Sequence, residues 1–101
     1  MLDFKSMYLK IHNNGEVVAL CDEDLLGKVF SDGPRKLDLA KYADFYAGQK
    51  VSIKQAAEVL KTARNVNLVG REALQAAKEA GLEVSGAIFI GGVPHLQIYR
   101  I

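Results

Sequence analysis

Alternating polar and apolar residues near the start of the chain predict a β-hairpin. Side chains alternate over residues 8–12, so Leu9 and Ile11 share one face of a strand. The Asn-Asn-Gly sequence at 13–15 tolerates positive φ angles and predicts the turn. A second strand at 16–21 is apolar almost throughout, which is typical of a central strand covered on both faces.

Two later segments have the hydrophobic period of helices. Residues 52–64 begin with a Ser-x-x-Gln capping box and repeat apolar side chains along one face. Residues 70–80 predict a second helix, and Gly81 follows it in the position of a C′ glycine. We interpret the Asn-Val-Asn sequence at 65–67 as the turn between these helices.

Shorter segments complete the fold. We expect extended segments at 29–30 and 36–39 around a turn, and a final pair of strands at 87–90 and 96–100. Strands followed by two helices and more strands indicate a small α+β domain. Its helices would pack on one face of a mainly antiparallel sheet.

Length and composition fit one such domain. The chain has 101 residues, and 50% of them are hydrophobic, which is enough for a core of its own. We expect the domain at residues 7–101, after a short N-terminal extension at 1–6. Neither a signal peptide nor a long apolar span is evident, so we expect a cytoplasmic protein without a membrane partner.

The acidic stretch at residues 22–27, Asp-Glu-Asp-Leu-Leu-Gly, predicts a single helical turn. Asp22 would cap it, the acids favour the positive end of its dipole, and glycine ends it. Neighbouring acids also suggest a cation site. The ligand spacing of calcium-binding loops is absent, however, so we expect no metal here.

Aromatic residues are concentrated at positions 42–48. Three of these seven residues are aromatic: Tyr42, Phe45 and Tyr46. They could form a platform on which bases stack, or they could cover one end of the core, and we favour the core.

The segment from Ile90 to His95 is the first candidate site. Gly91 and Gly92 allow positive φ and let a ligand approach the backbone, and Pro94 stiffens the exit. His95 titrates near neutrality and can donate or accept a hydrogen bond. Two glycines also make a good hairpin turn, so a purely structural role stays open.

The second candidate site is the start of the second helix. Gly70 and Arg71 place backbone N–H groups beside a guanidinium, which is the usual chemistry of an anion site. Asn67 is either a cap or turn residue or a ligand contact. Lys61 and Arg64 would add positive charge from the end of the first helix.

Established catalytic patterns are absent from the sequence. Neither phosphate-binding glycine loops nor a nucleophile elbow occurs, and Cys21, His12 and His95 lack the spacing of a zinc site. A dyad of Cys21 and His95 would require an exposed thiol, against the apolar pattern around Cys21. We expect no catalytic residue, no cofactor and no metal, and lean against an enzyme.

Four segments in order resemble a known family. They are Tyr-Leu-Lys-Ile-His at 8–12, Cys-Asp-Glu-Asp-Leu-Leu-Gly-Lys at 21–28, Asn-Leu-Val-Gly at 67–70 and Ile-Gly-Gly-Val-Pro-His-Leu-Gln at 90–97. Together they resemble the small archaeal proteins of domain-of-unknown-function family number four hundred and twenty-four. The resemblance covers roughly residues 7–100. It implies an archaeal cytosolic protein and supplies no activity to transfer.

Three hypotheses about function remain. The first is a non-catalytic module that binds RNA or a nucleoprotein such as the translation machinery. Its face would combine Gly91, Gly92, His95, Asn67, Gly70 and Arg71 with Arg64 on the rim. The net charge of +1 is small, but residues 51–101 carry six basic against four acidic residues. The second is a small enzyme or anion and nucleotide binder that uses His95. The third is a structural or partner-binding domain, including a homo-oligomer.

Overall fold

The computed structural model describes residues 6–100, which form two sheets and three α-helices. Its strands are β1 (Ser6–His12), β2 (Val17–Asp22), β3 (Val29–Asp32), β4 (Arg35–Asp38), β5 (Gln49–Ser52), β6 (Asn65–Val69), β7 (Ile88–Ile90) and β8 (Val93–Tyr99). Its α-helices are α1 (Ala43–Tyr46), α2 (Ile53–Leu60) and α3 (Arg71–Glu79). Within the described range, the main sheet has six strands in the order β5-β1-β2-β6-β8-β7, and only its β2–β6 pair is parallel. The predicted α+β class with a mainly antiparallel sheet is confirmed.

The predicted N-terminal hairpin is present at the centre of the main sheet. Strands β1 and β2 pair antiparallel from Met7↔Asp22 to His12↔Val17. Both asparagines of the turn have positive φ, and so does Gly15. Strand β2 is buried from its second residue onward, as expected for a central strand.

The interpretation of residues 65–67 as a turn is wrong. They belong to β6, which pairs with β2 on one side and β8 on the other. Val66 and Leu68 are buried in the core beneath the helices, and the alternation places Asn67 on the opposite face. Burial of these two apolar residues outweighs the low strand propensity of asparagine.

Helices α2 and α3 cover one face of the main sheet. The capping box of α2 is formed by Ser52 and Gln55, although the helix ends at Leu60, earlier than predicted. Helix α3 ends in a Schellman motif, because Gly81 N–H donates to the Lys78 carbonyl and the following N–H reaches Ala77. Buried residues of both helices share one core with Leu20 and Leu68 of the sheet, so the helices lie on one face, as the sequence indicates.

The opposite face is partly covered by the β3–β4 hairpin and α1. Cys21 projects into this second core, where its thiol is fully buried. Burial raises the pKa of Cys21 to about 12, so the thiol is protonated and unreactive at neutral pH. Tyr46 is buried in the same core and Phe45 packs against it, as the preferred interpretation of the aromatic segment predicts, whereas Tyr42 is 55% exposed.

Two further predictions concern the N-terminal extension and the acidic stretch at residues 22–27. Most of the predicted N-terminal extension, residues 1–5, lies outside the described residues, and Ser6 is already the first residue of β1. A short 3-10 turn at Glu23–Leu25 replaces the predicted helical turn, and Asp22 makes no side-chain capping bond to it. No helix within residues 6–100 is long and apolar enough to cross a membrane.

Candidate functional site

The two glycines of the first candidate site form a tight hairpin turn between β7 and β8. Gly91 and Gly92 have φ angles of 56° and 82°, the positive signs that a two-residue type I′ turn requires. A Cβ atom on Gly91 would lie 3.1 Å from the Ser31 carbonyl oxygen. Backbone geometry therefore explains both glycines, and His95 belongs to strand β8 rather than to the turn.

The two candidate segments are adjacent in the sheet. Val69 is the register partner of His95, and Gly70 N–H donates to the Pro94 carbonyl at 2.9 Å. The candidate residues nevertheless do not form one group, because side chains alternate between the two faces along a strand. Asn67 and His95 project from one face of the sheet, whereas Gly70 lies beyond the end of β6.

Arg64 lies at the opposite end of β6 from Gly70. Its carbonyl accepts from Arg100 N–H at 2.7 Å, next to the end of β8. Strand β6 has five residues, which separate its two ends by roughly 13 Å. The single face that the sequence suggested is therefore divided into two concavities, with Arg64 in neither.

The first concavity, here called the strand-end cleft, lies where β2 and β6 end and α3 begins. It has a volume of about 420 Å³ and includes Asp22, Glu23, Asp24, Gly70, Arg71 and Glu72. Four of these residues are acidic and one is basic. An anion would therefore meet a negative field in this cleft.

Asp22 occupies the anion-binding position of α3. Its carboxylate oxygens accept hydrogen bonds from Glu72 N–H at 3.1 Å and Ala73 N–H at 2.8 Å. Gly70 precedes the helix with a φ of 108°, and a Cβ atom there would overlap the Asp22 carboxylate. The chain thus supplies the anion itself, which sequence reasoning missed. The available signal was a helix start without a side-chain cap and an aspartate ending a buried strand.

Burial is the main cause of the raised pKa of Asp22. Only 3% of the residue is exposed, and this burial raises the pKa of its carboxyl to about 7. A hydrogen bond with the Glu72 side chain acts in the same direction, while the two backbone N–H groups lower the pKa. The Arg71 guanidinium carbon lies 5.9 Å from the centre of the Phe89 ring.

The second concavity, here called the sheet-face groove, lies on the face opposite the helices. It has a volume of about 440 Å³. Its floor consists of three polar side chains, Asn67, His95 and Gln97. Its wall consists of Leu37, Leu39, Tyr42, Phe45 and Tyr46, and Lys36 and Asp38 lie at the rim.

A hydrogen-bond network orders the floor of the sheet-face groove. The Tyr46 hydroxyl donates to Asn67 Oδ1 at 2.9 Å, and His95 Nε2 lies 3.1 Å from the same oxygen. Burial raises the pKa of Tyr46, so its hydroxyl keeps its proton and remains a donor. Burial also lowers the pKa of His95, which favours the neutral imidazole.

Comparison with known proteins gives a family and a fold. The family described as Protein of unknown function (DUF424) matches residues 9–101. The chain belongs to this family. A crystal structure of an uncharacterized conserved protein from Methanopyrus kandleri is also similar to it. That structure has 32% sequence identity and a TM-score of 0.78, and the match covers 95% of this chain and 92% of the other. No curated protein matches the chain.

The other chemistry considered from the sequence is not assembled in this DUF424 chain. Cys21, Val69 and His95 are successive register partners, so the thiol and imidazole lie two strands, or about 10 Å, apart. His12 is engaged elsewhere, stacked on Phe45 with ring centroids 4.6 Å apart. Within residues 6–100, no group of three or more His, Cys, Asp or Glu side chains is placed to hold a metal ion.

Proposed function

We propose that this domain is a non-catalytic module that binds single-stranded RNA, with one base seated in the sheet-face groove. The observation that carries the proposal is the combination of an aromatic wall and a hydrogen-bonding floor within one concavity. Single-stranded RNA exposes unstacked bases that proteins bind by stacking and by hydrogen bonds to base edges. The groove supplies both contacts.

The aromatic wall supports stacking on one side of the groove. Tyr42 lines the groove and is 55% exposed, so its ring is accessible to an incoming base, whereas Tyr46 is anchored in the core. A groove of about 440 Å³ also falls within the usual range for small-ligand sites, roughly 300–1,000 Å³. A single base fits this arrangement better than a duplex, whose bases are already stacked.

The charge of residues 28–42, a segment that forms part of the groove wall, favours the binding of an anionic polymer. Residues 28–42 contain four basic residues, Lys28, Arg35, Lys36 and Lys41, against two acidic residues, Asp32 and Asp38. Lys36 lies at the rim of the groove, and Lys41 Nζ lies 5.5 Å from the centre of the Tyr42 ring. We expect these cations to attract the phosphates beside a bound base, so binding should weaken as salt rises.

The geometry favours binding over catalysis. The enzyme hypothesis required His95 to share a pocket with an anion on the first amides of α3. Those amides are bonded to Asp22, and His95 lies on the sheet face with its Nε2 engaged by Asn67. A partner-binding or homo-oligomeric role stays a prediction of its own.

Fluorescence anisotropy with short labelled RNA homopolymers tests the proposal. We expect salt-dependent binding, and we expect Tyr42→Ala to weaken it roughly tenfold, because stacking contributes about 1–3 kcal/mol per base. Phe89→Ala is the matched control. Phe89 is also an exposed aromatic residue (49%), but its register partner is Pro94, on the face opposite to His95 and the groove, so its loss should leave the affinity unchanged.

Three results would overturn the proposal. The first is that no single-stranded RNA binds at low salt. The second is that a mononucleotide binds as tightly as the oligomer, which would indicate a small-ligand site. The third is tighter binding of DNA of the same sequence, which would remove the assignment to RNA.

A further inference from the structure

The orientation of the Asn67 amide follows from its neighbour Tyr46. That tyrosine is only 5% exposed, and within residues 6–100 its hydroxyl donates to Asn67 Oδ1 alone. Rotating the amide by 180° would turn its NH₂ group toward the hydroxyl and leave the hydroxyl proton without an acceptor. Because a buried unpaired donor is costly, the amide is held with its oxygen toward Tyr46.

The oxygen of this amide has no capacity left for a ligand. A carbonyl oxygen has two lone pairs. The Tyr46 hydroxyl takes one, and His95 Nε2, 3.1 Å away, takes the other when it carries the proton of the neutral ring. Asn67 therefore offers a ligand no acceptor.

The nitrogen of the same amide is available. In the part of the chain that the structure describes, Asn67 Nδ2 donates no hydrogen bond, and no buried side-chain nitrogen or oxygen atom lacks a partner. The nitrogen is therefore open to the groove that Asn67 lines. Gln97, its register partner across β6 and β8, is exposed and can turn its amide to donate or accept.

We propose that Asn67 is the residue that recognises the base edge, and that it acts only as a hydrogen-bond donor. This inference rests on the proposed RNA-binding function. All four natural bases carry acceptors on their edges, either a carbonyl oxygen or a ring nitrogen. The adaptable Gln97 then accepts or donates to the adjacent group. The groove therefore admits any natural base but disfavours a flat ring without strong acceptors.

Base replacement in the wild-type protein tests this directly. A short oligouridine is compared with one in which a central base is replaced by difluorobenzene, an apolar ring of similar shape. We expect the replacement to weaken binding roughly tenfold, which corresponds to one hydrogen bond to a buried site. We also expect the four natural homopolymers to differ from one another by less than this.

Asn67→Asp separates the donor from the rest of the side chain. The carboxylate keeps an acceptor for Tyr46 and His95 and replaces the NH₂ group by a second acceptor. Natural RNA should then lose most of its advantage over the difluorobenzene RNA, so the ratio should fall well below the wild-type value. The remaining advantage reflects the contact made by Gln97. Asn65→Asp is the control, because it adds the same charge on the same face of β6 outside the groove-lining set. It should keep the wild-type ratio.

The outcomes distinguish the two proposals. Absence of binding to every natural RNA would overturn the RNA-binding function. Equal binding of natural and difluorobenzene RNA by the wild-type protein would overturn only the role of Asn67, as would a ratio unchanged by Asn67→Asp. A preference of more than about tenfold for one natural base would also contradict it, because a single donor cannot produce that selectivity.

Discussion

Two concavities of nearly equal volume differ in where their hydrogen-bonding groups are satisfied. The strand-end cleft measures about 420 Å³ and the sheet-face groove about 440 Å³. In the cleft, Asp22 takes the N–H groups of Glu72 and Ala73 that could have bound an anion. In the groove, Asn67 keeps an amide donor facing the opening. The two concavities therefore differ in whether a hydrogen-bond donor is available to a ligand, and not in volume.

The electrostatic surroundings of the two concavities reinforce this difference. The cleft brings Asp22, Asp24 and Glu72 together near one arginine. Glu23 forms an ion pair with Lys50, whose Nζ lies 2.6 Å from the carboxylate, and this pair lowers the pKa of Glu23. The groove is instead lined in part by residues 28–42, a segment with excess positive charge. An RNA strand is therefore expected at the groove and not at the cleft.

The largest effect is expected from Gly70→Ala in the strand-end cleft. Gly70 adopts a φ of 108°, and an added Cβ would overlap the Asp22 carboxylate. Backbone strain of about 1–3 kcal/mol and overpacking of about 1–3 kcal/mol would add. We expect the free energy of unfolding to fall by roughly 3 kcal/mol or more in chemical denaturation.

Gly81→Ala is the matched control for this change. Gly81 also has a positive φ, 84°, but a Cβ there would meet nothing within 4 Å. It should therefore cost only the strain of the left-handed conformation, about 1–2 kcal/mol. Equal destabilisation by the two substitutions would contradict the close approach of the Asp22 carboxylate to Gly70.

A smaller effect is expected from pH, again in the cleft. Burial raises the pKa of Asp22 to about 7, so near neutrality the folded state binds more protons at this site than the unfolded state does. This contribution to stability is complete below the unfolded pKa and is lost as pH rises through about 7. Denaturant titrations should show a fall of about 1 kcal/mol between roughly pH 6.5 and pH 8.5.

Asp22→Asn removes the titrating group and should flatten this slope. The exposed neighbour Asp24 provides the control, since Asp24→Asn should keep the slope. Burial lowers the pKa of His95, which has the opposite effect on stability, but that effect fades above the unfolded pKa of histidine, about 6.5, at the lower edge of the window. A wild-type stability that rises over this window would contradict the assignment to buried Asp22.

Local patterns in the sequence predict much of the fold. The first hairpin, the capping box of α2 and the glycine after α3 follow from chemistry between residues close in the chain. The parallel β2–β6 pairing does not, because it joins residues such as Leu20 and Leu68 that are distant in sequence. The asparagines at 65 and 67 therefore favour a turn when only local sequence is considered.

The candidate site could be predicted only in part. The sequence indicated Asn67 and His95, but grouped them with Gly70 and Arg71 because these lie close along the chain. Strand alternation sends the side chains of the first pair to the sheet face, and this is visible only once β6 is known to be a strand. The contact between Asp22 and the start of α3 is not predictable from local sequence, because its hydrogen bonds span 50 and 51 residues.

One nuclear magnetic resonance titration compares both concavities in a single sample. Oligouridine is added to ¹⁵N-labelled protein, and the shifts of the Asn67 side-chain NH₂ group are followed together with the backbone amides of Glu72 and Ala73. We expect large changes at Asn67, smaller changes at the neighbouring Gln97, and none at the two helix amides. Changes at Glu72 and Ala73 with an unmoved Asn67 would place the RNA in the strand-end cleft and rule out the sheet-face groove as its binding site.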